Sequence, residues 1–172
     1  MSSIKIKKLN FPGVHIIEHR HSADKRGFLN RIFDKKFFKN KKINFSPKIM
    51  NYSFNKKKGT FRGFHYQRSP KKDKKIVSCV SGKVLDICVN TKKKNDEYYN
   101  YFKIKLSWND NISLLLSGDI AHGFQTLQNN SSLIYLHDQY YYSEHDKNIS
   151  LSNNKINITL PLKITNISKK DF

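Results

Sequence analysis

The sequence is short of the residues on which small extracellular and membrane-bound folds depend. Among 172 residues there are only two cysteines, Cys79 and Cys88, which is too few for a disulfide framework. No apolar run approaches the roughly 20 residues that a spanning helix needs, and no apolar leader opens the chain. Four prolines and seven glycines leave no Pro- or Gly-rich linker to divide it. These absences predict a reduced, soluble, cytoplasmic protein, with residues 1–172 forming one domain large enough to bury a core without disulfides or metals.

Acidic residues are also scarce: 13 Asp and Glu stand against 33 Lys and Arg, a formal charge of +20. Such an excess ordinarily points to an anionic partner. Here it is carried mostly by lysines scattered through surface-type segments, while arginine occurs only at Arg20, Arg26, Arg31, Arg62 and Arg68. Lys and Arg are not interleaved along one helix, and no nucleic-acid-binding motif is present. The reading is solvated surface charge, with neither nucleic acid nor membrane as a partner.

Short alternating segments dominate what is there. Ile4 to Lys8 and Val14 to His19 read as strands, as does the apolar run Phe28 to Phe33 after the polar turn at Asp24 to Gly27. Asp34 is placed to cap a short helix around Phe37 and Phe38. From Lys75 onward strands are expected near 75–80, 83–90, 101–106, 112–116, 120–128 and 132–141, separated by Gly, Asn, Asp or Ser. Strands at that spacing predict an all-β sandwich or barrel with few short helices. A hairpin centred on Ser81-Gly82 would pair Cys79 with Val84 and Cys88 with Lys75, leaving the cysteines unbonded. In the strand from Val84 to Asn90, Asp86 and Cys88 share one face while Leu85, Ile87 and Val89 share the other, so one face carries a carboxylate that a plain core would not want.

Chemistry concentrates in Gly59-Thr60-Phe61-Arg62-Gly63-Phe64-His65-Tyr66-Gln67, where a fixed cation, an imidazole and an amide stand among aromatics and glycine. A Gly-x5-His segment in a small barrel invites a metal reading. The residues that follow, Tyr66, Gln67, Arg68, Lys71 and Lys72, supply no further ligands, so no metal is expected. His15, His19 and His21 have poor ligand spacing and read as surface histidines. Without a metal, His65 is a candidate acid/base. Gly118 to Phe124 offers a second imidazole in His122, Tyr135, Tyr140 and Tyr141 offer phenols, and Lys75 an ammonium. That set suits proton abstraction beside a carbonyl, with a cation for the enolate oxygen. Strict alternation, however, puts Arg62 and His65 on opposite faces unless Gly63 sits in a bulge or Arg62 acts from the rim.

Thr60 to Gln67 resembles the T-L-R-G-L-H-Y-Q signature of the dTDP-4-dehydrorhamnose 3,5-epimerase family. Further stretches follow in the same order: Asp24 to Phe28 (D-x-R-G-F), Lys75 to Asp86 (K-L-V-R-C-x-x-G-x-V-x-D), Gly118 to Phe124 (G-F-A-H-G-F), Leu133 to Tyr135 with Tyr140-Tyr141 (F-L-Y, then Y-Y) and Ile167 to Asp171 (L-S-x-K-D). The resemblance implies a metal-independent cupin-type jelly-roll barrel that epimerises C3, C5 or both of a nucleotide-linked 4-keto-6-deoxy sugar, with no cofactor. By the same resemblance His65 is the base, Asp171 its orienting carboxylate, Tyr135 the acid on the opposite face and Lys75 the partner of the enolate oxygen. Arg62, and Arg26 from a neighbouring subunit of a homodimer, hold the diphosphate. Phe28, Asn51, Gln67, His122 and Tyr140 complete the substrate wall. Arg31 and Ile49 stand where the family usually carries a Glu and a Gln near the base, which leaves the nucleotide open between dTDP and a GDP- or CDP-linked sugar. A ketoisomerase on the same scaffold and a non-catalytic sugar-binding cupin are the alternatives.

Overall fold

A computed structural model describes residues 4–20, 22–92 and 98–172. In chain order its elements are β1 (Ile4–Lys8), β2 (Val14–His19), β3 (Ser22–Asp24), β4 (Gly27–Leu29), α1 (Lys35–Asn40), β5 (Ile49–Asn55), β6 (Phe61–Gln67) and β7 (Lys75–Ser81), followed by β8 (Lys83–Asn90), β9 (Tyr101–Ser107), β10 (Ile112–Leu116), β11 (Ile120–Thr126), β12 (Ser131–His137) and β13 (Asp146–Asn148). Two antiparallel sheets face each other, one ordered β1-β2-β10-β7-β12-β5 and the other β13-β6-β11-β8-β9, while β3 and β4 form a separate hairpin. This is the jelly-roll, cupin-type sandwich that the strand spacing and the family resemblance together imply.

Three apolar clusters hold it together. Between the sheets lie Val14, Val77, Cys79, Val84, Cys88, Leu106, Leu114, Leu116, Ile120, Phe124 and Leu133. The outer face of the five-stranded sheet, with Phe61, Phe64, Leu85, Ile87 and Val89, is covered by Ile149, Ile156 and the partly buried Ile158, Leu160, Ile164 and Ile167 of the C-terminal segment. The outer face of the six-stranded sheet meets Phe37 and Phe38 of α1, with Phe45. Strand β8 is therefore buried on both faces, with Leu85, Ile87 and Val89 turned outward and Asp86 and Cys88 inward, as the alternation requires.

Asp34 caps α1 through its carboxylate, which accepts from Phe37 N at 3.0 Å. The expected strand from Phe28 to Phe33 stops at Leu29. Beyond it Asn30 donates to the Asn111 side chain, the Arg31 carbonyl lies 3.0 Å from His19 Nδ1, and Phe33 packs on Phe38 and Phe45, so the apolar run serves the helix rather than a ladder. The expected strand 132–141 ends at His137, where Asp138 turns the chain by accepting from Lys74 N at 2.8 Å.

Two further expectations are corrected. Ser81-Gly82 is not a hairpin turn: β7 and β8 belong to different sheets, and the chain crosses between them there. Cys79 and Cys88 are free thiols on the shared inner face. Nor is His19 a surface residue. It is buried, with Nε2 2.7 Å from Ser113 Oγ. His15 is half-buried, and His21 lies outside the described residues. No helix among the described residues is long and apolar enough to cross a membrane.

Candidate active site

The β6–β11 pair sets the geometry. His122 pairs with His65 and Phe124 with Arg62, so β6 spends three residues where β11 spends two. That extra residue is the bulge needed to turn Arg62 and His65 toward one side. Glycines make it possible. Gly63 has φ +132°, and a Cβ there would meet Gly123 Cα at 2.4 Å, while a Cβ on Gly123 would meet Phe64 Cδ1 at 2.7 Å and the Arg62 carbonyl at 2.8 Å.

The C-terminal segment completes the site. An isolated bridge between Thr60 and Asn166 and the bond from Leu151 N to the Asp171 carbonyl lay it over β6. Asp171 is thereby buried, with Oδ1 3.1 Å from His65 Nε2 and Oδ2 accepting from Gly63 N at 3.4 Å. The imidazole contact is an ion-pair approach without hydrogen-bond alignment, because Oδ1 has no hydrogen-bond partner. Burial pulls the His65 pKa below its ordinary value, and the negative charge of Asp171 opposes that pull. A neutral imidazole beside a buried carboxylate is equipped to accept a proton and to be stabilised once it has done so.

Facing inward from β12 is Tyr135, whose phenol pKa is pushed well up by burial first and by the Asp86 charge second. The hydroxyl is therefore a proton donor at neutral pH. His122 Nε2 donates to Asp86 Oδ2 at 2.7 Å, and its ring meets Tyr135 edge-on at 5.8 Å between centroids. Lys75 Nζ is almost fully buried, 3.6 Å from Asp73 Oδ2. Arg62 is exposed at the rim and donates from Nε to Asn55 Oδ1 at 2.8 Å. These residues open into two adjoining hollows of about 390 Å³ each, which share Asn51, His65, Lys75, His137 and Lys170.

The structure thus brings together His65, Asp171, Tyr135, Lys75, Arg62, His122 and Asn51 around one hollow, and Gln67 and Tyr140 around the other. Gln67 is the least available to a ligand, since its amide donates to the Lys71 and Tyr140 carbonyls and accepts from Tyr142 N. It fixes the loop that presents Tyr140. Arg26 and Phe28 lie on the β3–β4 hairpin and line neither hollow. The Arg26 side chain is 90% exposed and pairs with Asp24 at 2.5 Å, while Phe28 stacks on Trp108. Ile49 reaches the cleft, whereas Arg31 pairs with Asp34 away from it.

Two cleft residues escape the sequence reading. Asp73 and His137 form a third carboxylate–imidazole contact, at 2.7 Å. Asp73 sits in a lysine-rich loop where a carboxylate reads as solvated. His137 lies two positions beyond Tyr135 on the same strand face, which was the available signal. Among the described residues no cluster of three or more His, Cys, Asp or Glu could hold a metal ion.

Comparison with known proteins agrees along nearly the whole chain. The family model described as dTDP-4-dehydrorhamnose 3,5-epimerase matches residues 8–172. The dTDP-4-dehydrorhamnose 3,5-epimerase of Shigella flexneri is 29% identical over 172 residues, which covers 98% of this chain and 93% of that protein. A solved structure of dTDP-4-dehydrorhamnose 3,5-epimerase from Bacillus anthracis, with TDP and PPi bound, is similar at a TM-score of 0.91 and 28% identity, over 98% of this chain and 96% of its own. Another, dTDP-6-deoxy-D-glucose-3,5-epimerase from Legionella pneumophila in complex with dTDP-4-keto-L-rhamnose, has a TM-score of 0.89 and 27% identity, over 98% and 89% of the two chains.

Proposed function

The chain belongs to the dTDP-4-dehydrorhamnose 3,5-epimerase family, and from that premise we propose that it epimerises a nucleotide-diphosphate-linked 4-keto-6-deoxy sugar, most simply a dTDP-linked one, by proton transfer between two faces of the ring. The observation that carries this reading is the buried Asp171 carboxylate 3.1 Å from His65, in the hollow that Tyr135 also lines.

His65 removes the proton on the carbon next to the C4 ketone, and Asp171 balances the imidazolium that results. The electron pair moves onto the ketone oxygen, where the Lys75 ammonium stabilises the enolate. Tyr135 returns a proton to the same carbon from the other side, which inverts the centre. The directions of the pKa shifts support this division of labour: His65 is held neutral, as a base must be, and Tyr135 is held protonated, as an acid must be. Arg62 at the rim suits the diphosphate.

The substrate assignment draws on relatives with TDP and with dTDP-4-keto-L-rhamnose bound. The homodimer rests on two features of the single chain. Edge strand β5 exposes Met50, Tyr52 and Phe54 in alternation, and the hairpin holding Arg26 and Phe28 lines neither hollow of its own chain. A second subunit covering β5 is the proposed source of the Arg26 and Phe28 contacts that this cleft does not receive from its own chain.

Incubation with dTDP-4-keto-6-deoxyglucose, followed by NMR of the sugar ring, tests the reading. Appearance of a C3 epimer, a C5 epimer or the double epimer is expected. Unchanged substrate with this and with the GDP- and CDP-linked sugars overturns it, and a carbonyl that moves from C4 to C3 identifies a ketoisomerase instead.

A further inference from the structure

Tyr135 is flanked by two imidazoles, and each is hydrogen-bonded to a buried carboxylate at 2.7 Å. On one side His122 reaches Asp86; on the other, His137 Nδ1 donates to Asp73 Oδ2. The His137 ring lies nearly parallel to the Tyr135 ring, 6.0 Å between centroids and 24° between planes. A carboxylate only accepts, so the proton of a neutral His137 sits on Nδ1, and Nε2 is left to face Asn51 Nδ2 at 3.4 Å. Asp73 Oδ2 also approaches Lys75 Nζ at 3.6 Å, and Asp73 Oδ1 is buried without a hydrogen-bond partner. A buried carboxylate that forgoes one of its own hydrogen bonds is a poor choice for stability alone, because an unsatisfied acceptor destabilises the fold. Its remaining contacts all lead to groups in the cleft.

We propose that the Asp73–His137 pair is a positioning device for the Tyr135 side of the cleft, in which Asp73 fixes the His137 ring and that ring in turn fixes the phenol that returns the proton. Imidazoles held by a carboxylate keep one tautomer and one ring plane, and a ring stacked on them inherits that order. His65 is served by Asp171 at the C-terminal end of the chain; Tyr135 is served by a separate pair from the β7 loop and β12. The two halves of the inversion are therefore held by different parts of the structure and can be damaged separately. This inference rests on the epimerase reading, since it assigns a half-reaction to Tyr135.

The test follows both half-reactions in D2O with dTDP-4-keto-6-deoxyglucose. Deuterium entering the ring carbons of recovered sugar, with or without inversion, reports proton removal; inverted product reports delivery from the opposite face. His137→Ala should lower inverted product about tenfold more than it lowers deuterium entry, because a displaced acid slows delivery while the base still works. Asp73→Asn, which keeps the side-chain shape, should move the same ratio in the same direction by a smaller factor, and it carries the test if His137→Ala fails to fold. Equal losses in both readouts, or no loss in either, overturn the proposal while leaving the epimerase reading intact. A wild-type protein that neither exchanges nor inverts this sugar or its GDP- and CDP-linked counterparts overturns the epimerase reading, and this one with it.

Discussion

The space between the two sheets has an apolar end and an ionisable end, and the same strands build both. On β7 the inward positions run Lys75, Val77, Cys79; on β12 they run Leu133, Tyr135, His137; on β8, Val84, Asp86, Cys88. Val77, Cys79, Val84, Cys88 and Leu133 lie in the inter-sheet core, whereas Lys75, Tyr135 and His137 line the cleft and Asp86 meets it through His122. Alternation along a strand decides only which side chains face inward. On β7 and β12, which of them line the cleft is decided by how far along the strand they stand, at the end where the C-terminal segment brings in Asp171. On β8 the carboxylate of Asp86 stands between two core residues and reaches the cleft through His122. The apolar end supplies stability through burial. The ionisable end gives some up, since buried charges are stabilised only by partners that are themselves costly to bury.

If that division is real, the two ends should respond to mutation in opposite ways. His65→Ala at the ionisable end should lower turnover by a factor of about 10²–10⁴, the range for a lost general base, with a melting temperature close to that of the wild type. Leu133→Ala at the apolar end, where the side chain is fully buried, should cost about 2–5 kcal/mol of stability. Urea titration measures that loss, and turnover per folded molecule should hold. A Leu133 variant that is stable but inactive would break the comparison.

Arg26 extends the contrast to a region that neither end contains. With the hairpin acting across a dimer, Arg26→Ala should raise KM for the nucleotide sugar about tenfold while kcat changes little, as for a lost charge-assisted contact to a diphosphate. Mixing Arg26→Ala with His65→Ala subunits should restore the wild-type KM in each mixed dimer, because its one working site takes His65 from one subunit and Arg26 from the other. No restoration in mixed dimers would assign Arg26 to its own subunit or to the surface.

The smallest expected effect is on pH dependence. A base must be neutral to act, so kcat/KM should fall as pH drops through the His65 pKa, which burial holds below the ordinary histidine value of about 6.5. The Asp171 charge favours the protonated ring. Asp171→Asn should therefore move the acid limb of the profile to lower pH, even as it lowers the plateau; a shift upward would contradict the assigned partnership.

Much of this was legible in the chain. The inward face of β8 follows from period-two alternation, the cap at Asp34 from a carboxylate standing just before the helix, and the choice between a bulge at Gly63 and a rim position for Arg62 from the odd spacing of Arg62 and His65. Asp171 was reachable only through family resemblance, because nothing local in Ile167 to Phe172 tells that the segment lies across β6. Other features were hidden for definite reasons. Ser81-Gly82 has the composition of a hairpin turn, but whether a two-residue connection closes a ladder or crosses between sheets depends on partners elsewhere in the chain. Phe28 to Phe33 has a strand's apolar content, and what ends it is a side-chain bond to Asn111. Asp73 looks like any carboxylate in a lysine-rich loop until β12 places His137 above it.

The central claim is that His65, charge-balanced by Asp171, opens the reaction by removing a carbon-bound proton. The most direct test is the rate at which solvent deuterium enters the ring of dTDP-4-keto-6-deoxyglucose in the presence of wild-type protein and of His65→Ala at matched folded concentration. The account predicts incorporation beside the ketone with the wild type and a loss of at least about 100-fold in the variant. Incorporation by His65→Ala at the wild-type rate would contradict it.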